Sequence, residues 1–204
     1  MKILNILLAA CLVLSGCSNA RTGQSLFDGK KLGNWTVTKF FWHGDVYVSN
    51  GSMILEKGNG FLTGVTWDGP VVRMNYEIHL EAKRLDGSDF FCGLTFPVDA
   101  NCCSLILSGW SGRVSGISCI DGYDASENET TREIPFENNR WYKVVVRVIP
   151  GRILAWVDGR EVVNVDITGK KINVRSEVEL SQPLGIAAYN STGAIRKIQI
   201  RELK

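Results

Sequence analysis

The chain has 204 residues, of which 45% are apolar and 22% are charged. This composition is close to that of an average globular protein, and it excludes a disordered tail, a collagen-like repeat and a polytopic membrane protein. The 23 basic and 21 acidic side chains leave a net charge of +2, without the basic excess of a nucleic-acid binder, so we expect no nucleic-acid partner. The two histidines, His43 and His79, are too few for a zinc site with three histidine ligands.

Residues 1–16, MKILNILLAACLVLSG, have the pattern of a secretory signal, with one lysine, an apolar run and then small residues. The apolar run is shorter than the roughly 20 residues that cross a bilayer. The segment LSGC at 14–17 resembles a bacterial lipobox, in which a signal peptidase cuts before a lipid-carrying cysteine. We therefore predict a leader at 1–16, a lipid-anchored Cys17 with a tether at 17–24, and membrane attachment in the bacterial cell envelope, periplasmic or outer-membrane. An ordinary signal peptide with a chance cysteine is the alternative.

Two dipeptides mark β-hairpins in the chain that follows. Asn50-Gly51 separates apolar-alternating segments at 45–49 and 52–56, and Asp158-Gly159 separates segments at 152–157 and 160–166. Asn-Gly and Asp-Gly suit the two-residue turns that join antiparallel strands, because both turn positions need a positive φ.

The clearest strand is predicted at residues 72–83. Its even positions, from Val72 to Ala82, are apolar or aromatic, whereas its odd positions, from Arg73 to Lys83, are all polar. Side chains alternate between the two faces of a strand, so one face should cover a core and the other should look outward.

Further strands are expected at 90–96, 103–108, 114–120, 141–149, 184–189 and 195–203, and no helix longer than a turn is indicated. About a dozen short strands with glycine-rich turns are typical of an all-β sandwich or jelly roll. We predict a single domain from residue 25 to residue 204.

Four cysteines remain beyond the leader and the anchor, Cys92, Cys102, Cys103 and Cys119. The export signal predicts an oxidising compartment, where disulfides persist. Four cysteines allow three complete pairings, and the sequence does not choose among them. We expect structural disulfides or buried thiols.

Several segments, in order, resemble the 3-keto-disaccharide hydrolase family, formerly a domain of unknown function. The opening SLFDGKKLGNW at 25–35 is similar to the "LFDGK-L-W" start of that family. Further similar segments are GSMI at 51–54, YEIHLEAK at 76–83, WYKVVV at 141–146, WVDG at 156–159, PLGI at 183–186 and IQIREL at 198–203. Together they span nearly all of residues 25–204.

The resemblance implies a concanavalin A-like jelly roll, an envelope or secreted location, and action on small carbohydrates oxidised at C3. Such enzymes look like 1,2-lyases and hydratases whose net reaction is hydrolysis of the glycosidic bond. A C3 ketone acidifies the C2 proton, so the site needs a base, an acid for the leaving oxygen and a group that stabilises the enolate.

The chain departs from the family pattern at two places. Family members often carry "YEvQilD" on a middle strand and "lQdHg" near the C-terminus, whereas this chain has GISCID at 116–121 and IAAYNS at 186–191. The Glu, Gln and His of those motifs are missing, and Asp121 remains. A carbohydrate-binding lipoprotein without catalysis is therefore the alternative to an enzyme, and a structural envelope protein is a third reading.

Candidate catalytic residues come from two places. Glu77, His79 and Glu81 share one face of the strand at 72–83, where a carboxylate could be the base and His79 the proton donor; on an outer face they would be ordinary solvated charges. Asp121 and Asp124 lie in the acidic loop at 121–129. That loop is otherwise a solvated loop or, since Ca²⁺ prefers oxygen ligands, a cation site. No cofactor is firmly indicated, and a divalent cation stays open.

Candidate sugar contacts are Trp110, Tyr189 and Asn190. Trp110 lies in the small-residue loop SGWSG at 108–112, and exposed aromatic rings stack on sugar faces. Packing over the sandwich edge is its alternative. Tyr189 and Asn190 occupy the position of the late family motif, where either could bind a sugar hydroxyl. His43 is interpreted as a turn residue.

Overall fold

A computed structural model describes residues 23–204, so the expected leader and Cys17 lie outside the described residues. In this part of the chain there are fifteen strands, β1 (Gln24–Ser25), β2 (Trp35–Val37), β3 (Val46–Ser49), β4 (Ser52–Leu55), β5 (Leu62–Trp67), β6 (Tyr76–Gly87), β7 (Cys92–Val98), β8 (Asn101–Ser108), β9 (Val114–Ser118), β10 (Arg132–Glu133), β11 (Tyr142–Ile149), β12 (Arg152–Val157), β13 (Arg160–Asp166), β14 (Gly185–Tyr189) and β15 (Ser191–Glu202). Gln24, expected in the tether, pairs with Ile200 of β15.

The strands form two antiparallel sheets that pack face to face. The eight-stranded back sheet has the order β13-β12-β11-β6-β15-β4-β3, with β1 beside β15. The seven-stranded front sheet has the order β10-β9-β8-β7-β14-β5-β2. Their inner faces bury one continuous apolar core. The predicted all-β jelly-roll sandwich is thereby confirmed.

Both predicted hairpins are present. Ser49 pairs with Ser52 across Asn50-Gly51, and both turn residues have positive φ, 48° and 73°. Val157 pairs with Arg160 across Asp158-Gly159, with φ of 49° and 79°. Positive φ at both central residues is the geometry that matches the twist of the flanking strands.

The alternation predicted for residues 72–83 is correct, but the strand boundaries differ. Tyr76, Ile78, Leu80 and Ala82 are buried in the core, as expected from their parity. The strand β6 begins only at Tyr76, because Asn75 has φ of 55° and interrupts the extended backbone, and it continues to Gly87.

Two short helical segments lie in the described region. Residues Gly109–Gly112 form one turn in which Trp110 and Ser111 have left-handed backbone angles. Ser176–Ser181 is a six-residue 3₁₀ helix that the sequence analysis did not predict, since so short a segment shows no helical periodicity.

The outer face of the back sheet carries a network of ion pairs centred on Glu77. This carboxylate is only 2% exposed, and it accepts hydrogen bonds from Arg147 Nε at 2.7 Å and Arg201 Nη2 at 2.5 Å. His79 Nε2 lies 2.8 Å from Glu77 Oε2, the same oxygen that accepts from Arg201. Burial opposes ionisation, but the hydrogen bonds of His79 and Arg147 and the arginine charges hold the pKa of Glu77 below its ordinary value.

A second carboxylate on this face is held in the same way. Glu81 accepts hydrogen bonds from Arg196 Nε at 2.7 Å and Lys197 Nζ at 2.9 Å. Arg196 also lies over the Trp141 ring at 3.9 Å from its centroid, and Arg147 lies over Trp156. The outer face of the back sheet is therefore closed by paired charges and aromatic rings.

We expect Glu77→Gln to lower the free energy of unfolding at pH 7 by about 1–3 kcal/mol, because Arg147 and Arg201 lose a buried partner. The folded-state pKa of Glu77 is lowered, so its contribution is present above the unfolded pKa of about 4.3 and is lost as pH falls through the folded pKa. The difference between the two proteins should therefore shrink at about pH 3.

Urea unfolding at both pH values measures this effect. Glu133→Gln, at an exposed position of β10, is the matched control and should change stability little. A Glu77→Gln difference that stays constant between the two pH values would contradict the interpretation.

Candidate functional site

A cleft of about 520 Å³ opens on the outer face of the front sheet. Six aromatic side chains line it, Phe40, Phe41, Phe61, Phe90, Trp110 and Tyr189. A concave, largely aromatic cavity with a few polar groups is the usual form of a small-molecule site.

Beneath the lining rings of Phe40 and Phe90, the front sheet is built from small residues of neighbouring strands. Gly64 pairs with Ala187, and Ala187 pairs with Gly93, so that one row across β5, β14 and β7 carries almost no side-chain volume. A Cβ at Gly64 would lie 3.0 Å from the Phe40 ring, and a Cβ at Gly93 would lie 3.1 Å from the Phe90 ring. The two rings therefore lie against the sheet because these positions are glycine.

One side of the cleft carries a linked set of charges. Arg175 pairs with Asp124 and donates from Nη2 to Glu177 at 2.7 Å. Ser118, at the end of β9, donates from Oγ to Asp124 at 3.0 Å. The hydrogen bond from Arg175 is the main cause that lowers the pKa of Glu177 to about 2, so Glu177 is ionised at neutral pH.

Asp89 is a further charged residue that lines the cleft, and it enters from the turn between β6 and β7. Its Oδ1 accepts the backbone N–H of Phe90 at 2.8 Å, and its Oδ2 accepts the backbone N–H of Ser111 at 2.8 Å. Ser111 follows Trp110 in the left-handed turn, where φ is 51° at Trp110 and 59° at Ser111. Asp89 thus fixes the turn that carries the tryptophan.

The buried guanidinium of Arg84 is hydrogen-bonded to the β6–β7 turn that carries Asp89 and to Ser108, which precedes the Trp110 turn. Arg84, only 8% exposed at the end of β6, donates to Ser108 Oγ at 2.9 Å and to the Asp89 carbonyl at 3.5 Å. It also donates to the Phe136 carbonyl at 2.7 Å and to Asn138 Oδ1 at 2.5 Å. Burial lowers the pKa of this arginine.

Of the residues selected from the sequence, Trp110 and Tyr189 line the cleft. Asp124 lies next to it, paired with the lining residue Arg175. Asn190 is half-buried, with φ of 47°, and its carbonyl accepts the Ser88 N–H at 3.4 Å; it is not a lining residue.

The other selected residues lie elsewhere. Glu77, His79 and Glu81 do share one face, but it is the outer face of the back sheet, on the opposite side of the sandwich from the cleft. Asp121 is exposed and accepts the Lys171 N–H at 2.7 Å. His43 is exposed in a turn, with Nδ1 2.7 Å from the Gly44 carbonyl.

Sequence reasoning missed several residues of the cleft and of its support, and two features of the sequence could have indicated some of them. Arg84 continues the core-facing parity of Ile78 and Ala82, and a charge at such a position indicates a buried polar network. The consecutive aromatic residues at 40–42 also stood out in the sequence. By contrast, Arg175 and Glu177 lie in a segment without periodicity and reach the cleft only through the tertiary fold.

The four described cysteines, Cys92, Cys102, Cys103 and Cys119, are free and buried, which agrees with buried thiols rather than disulfides. Burial raises the pKa of all four thiols, that of Cys92 to about 12. Protonated, buried thiols react slowly.

Within residues 23–204, no three His, Cys, Asp or Glu side chains are grouped in a way that could hold a metal ion. In the same region, no helix is long and apolar enough to cross a membrane.

The fold and the cleft define a two-sheet β-sandwich with an aromatic site on one outer face. The family model of the 3-keto-alpha-glucoside-1,2-lyase-like domain matches residues 22–201, and the chain belongs to this family. No curated protein sequence matches the chain.

Solved structures of similar fold include the carbohydrate-binding module CBM66 from Bacillus subtilis, with TM-score 0.55 and 12% identity over 83% of this chain and 96% of the module. A putative glycosyl hydrolase from Parabacteroides distasonis has TM-score 0.52 and 16% identity over 88% of this chain and 93% of that one. A protein of unknown function with a galectin-like fold from Bacillus subtilis has TM-score 0.61 and 9% identity over 88% and 96% of the two chains. At these identities the similarity concerns the fold.

We expect that, in a protein that begins after Cys17, four thiols react with a disulfide reagent in denaturant. In the native state fewer than one thiol per molecule should react within minutes, because all four are buried. Ellman titration with and without guanidinium measures this difference. Two or fewer thiols in the unreduced, denatured protein would mean that the cysteines pair.

Proposed function

We propose that this protein binds a glycoside in the aromatic cleft and cleaves 3-keto-glycosides there by elimination and hydration. The observation that carries the proposal is the cleft itself, in which aromatic rings stand beside two carboxylates and one guanidinium. Membership of the 3-keto-alpha-glucoside-1,2-lyase-like family supports the substrate class. The similar folds of a carbohydrate-binding module and a putative glycosyl hydrolase are consistent with a carbohydrate ligand.

The reaction requires three groups. A base takes the C2 proton, the C2–H electron pair passes into the enolate, and the enolate oxygen at C3 needs a positive neighbour. The C1–O bond then breaks, the leaving oxygen takes the proton that the base removed from C2, and a C1–C2 double bond forms beside the ketone. Water adds its oxygen to C1 and a proton to C2, so the products are the 3-keto sugar and the free alcohol.

Asp89 is the base in this proposal. Each of its carboxylate oxygens accepts one backbone hydrogen bond and retains a lone pair, and the carboxylate is only 9% exposed. The two backbone bonds fix the position of this carboxylate. Trp110, on the turn that Asp89 holds, is the platform for the apolar face of the sugar.

Arg175 is the group that stabilises the enolate oxygen. Its guanidinium lines the cleft and is oriented by Asp124 on one side and Glu177 on the other. Glu177 has a pKa of about 2, so it is a weak base at neutral pH and serves mainly to hold Arg175. Asp124, selected from the sequence as an acid/base candidate, acts here as a positioning residue.

The test is incubation of the purified protein with 3-keto-trehalose, 3-keto-sucrose and a 3-keto-β-glucoside, beside their unoxidised parents. We expect release of 3-keto-glucose from the oxidised sugars only, since the parents lack the acidic C2 proton. The same assay with a chelator shows whether a divalent cation takes part.

Substitutions assign the roles. We expect Asp89→Asn to lower kcat by about 100-fold or more with KM changed little, and Trp110→Ala to raise KM by about tenfold. Glu77→Gln removes a buried carboxylate from the opposite side of the sandwich and is the matched control, with kcat unchanged. Loss of turnover in Glu77→Gln but not in Asp89→Asn would place the base elsewhere and contradict the proposal.

A carbohydrate-binding protein without catalysis is the second candidate. It is favoured by the hydrogen bonds that already engage both cleft carboxylates, Asp89 with two backbone N–H groups and Glu177 with Arg175. Saturable binding of these sugars by calorimetry, with no product from any of them, would establish this candidate and exclude the enzyme.

We also propose that the protein is attached to the bacterial cell envelope by lipid on Cys17. In cells grown with labelled palmitate, the wild-type protein should carry label and sediment with membranes. Cys17→Ala should carry no label and appear in the soluble fraction. Equal sedimentation of both proteins without label would contradict the anchor.

A further inference from the structure

Three aromatic side chains form a ledge beside the cleft, made of Phe41, Trp42 and Phe61. The rings of Phe41 and Trp42 stack with centroids 4.8 Å apart, and Phe61 meets both edge-on at 5.3 and 5.5 Å. Phe41 and Trp42 are each 66% exposed. Large exposed apolar surfaces of this kind mark binding sites more often than chance packing.

The ledge is held rigidly by its backbone. Gly44 donates its N–H to Thr63 Oγ1 at 2.7 Å, and its Cα packs so closely on the Glu56 carbonyl that a Cβ would collide with it. Trp42 has φ of 47°, a backbone conformation that is unfavourable for a residue other than glycine. A fixed and strained backbone thus keeps an indole in solvent, as is common at functional sites.

The ledge is continuous with one end of the cleft, and the two ends of the cleft differ in the polarity of their side chains. Phe41 and Phe61 belong to both. At that end the cleft is also lined by Phe40, Gly60 and Leu62, whose side chains have no hydrogen-bonding atom. The charged side chains and the serine hydroxyls enter from the other side, from the β6–β7 turn, β8, β9 and the segment at 175–177: Asp89, Ser104, Ser118, Arg175 and Glu177. Tyr189, which pairs with Leu62 across β14 and β5, brings one phenolic hydroxyl to the ledge end.

We propose that the ledge is the subsite for an aromatic aglycone, so that the ligands of this protein are aryl glycosides. This inference rests on the proposed binding of a glycoside in the cleft. The sugar, which needs hydrogen bonds, occupies the polar side, and the flat apolar group attached at C1 extends over Phe41 and Trp42. Stacked and edge-on ring contacts are the favourable geometries for such a group.

A second sugar fits the ledge less well. Sugar hydroxyls that leave bulk water need protein partners, and binding sites that recognise them combine a ring with polar side chains. The ledge end of the cleft offers three phenylalanines, a leucine and a glycine, and Tyr189 adds a single phenolic hydroxyl beside Leu62. The discrimination between an aryl group and a sugar therefore follows from the side chains that surround the aglycone position.

Calorimetry with unoxidised ligands tests the inference, because a glucoside without the C3 ketone is not eliminated and gives an equilibrium Kd. The ligands are methyl glucoside, phenyl glucoside of the same anomeric form, and cellobiose. We expect phenyl glucoside to bind about five- to tenfold more tightly than methyl glucoside, and cellobiose to show no comparable gain.

Trp42→Ala should abolish the gain of phenyl over methyl glucoside and leave the Kd of methyl glucoside within about twofold. Tyr123→Ala is the matched control, since Tyr123 is 59% exposed and does not line the cleft, and it should leave every Kd unchanged. Equal affinity for the phenyl and methyl ligands overturns the inference, as does an equal loss of cellobiose and phenyl glucoside affinity in Trp42→Ala.

The turnover assay with 3-keto sugars separates this result from the proposed reaction. Turnover without an aryl preference overturns the aglycone subsite and leaves the lyase. An aryl preference without turnover supports the subsite and leaves a binding protein. If none of the three glycosides binds, the subsite is overturned together with the glycoside cleft.

Discussion

The cleft depends on one buried charge, the guanidinium of Arg84. It lies at the end of β6 in the back sheet, yet its hydrogen bonds reach Ser108 and the Asp89 carbonyl, which belong to turns of the front sheet. A buried arginine must satisfy its donors, and here backbone, hydroxyl and side-chain amide oxygens do so instead of a carboxylate. The same hydrogen bonds therefore fix the positions of the Trp110 turn and the Asp89 turn relative to the sandwich core.

The two outer faces of the sandwich differ in the side chains that cover them. On the back sheet, Glu77 and Glu81 are surrounded by arginine and lysine donors, so their carboxylates are neutralised and the face is closed. On the front sheet, Gly64, Ala187 and Gly93 remove side-chain volume in the middle of the sheet. The rings of Phe40 and Phe90 lie against the sheet at these positions, and the cleft opens on this face.

Within the cleft, charge and apolar surface are kept apart. Arg175 is paired with both Asp124 and Glu177 on one side, and Phe40, Phe41 and Phe61 lie on the other side. This separation allows one ligand to present a hydroxyl-rich part and an apolar part at the same time. In the proposed binding mode, the sugar and its aglycone would therefore contact different side chains, which separate substitutions can test.

The sequence by itself determined the sandwich, both hairpins and the alternation of β6, because turn chemistry and the period of two are local properties. Trp110 and Tyr189, selected from the sequence as sugar contacts, line the cleft. Period two established that Glu77, His79 and Glu81 share a face, but it could not say which face. That depended on the position of β6 between β11 and β15 in the back sheet, which is set by pairing between distant segments. Asp89, Arg175 and Phe41 come from three separate loops, so only the tertiary structure brought them to one cleft.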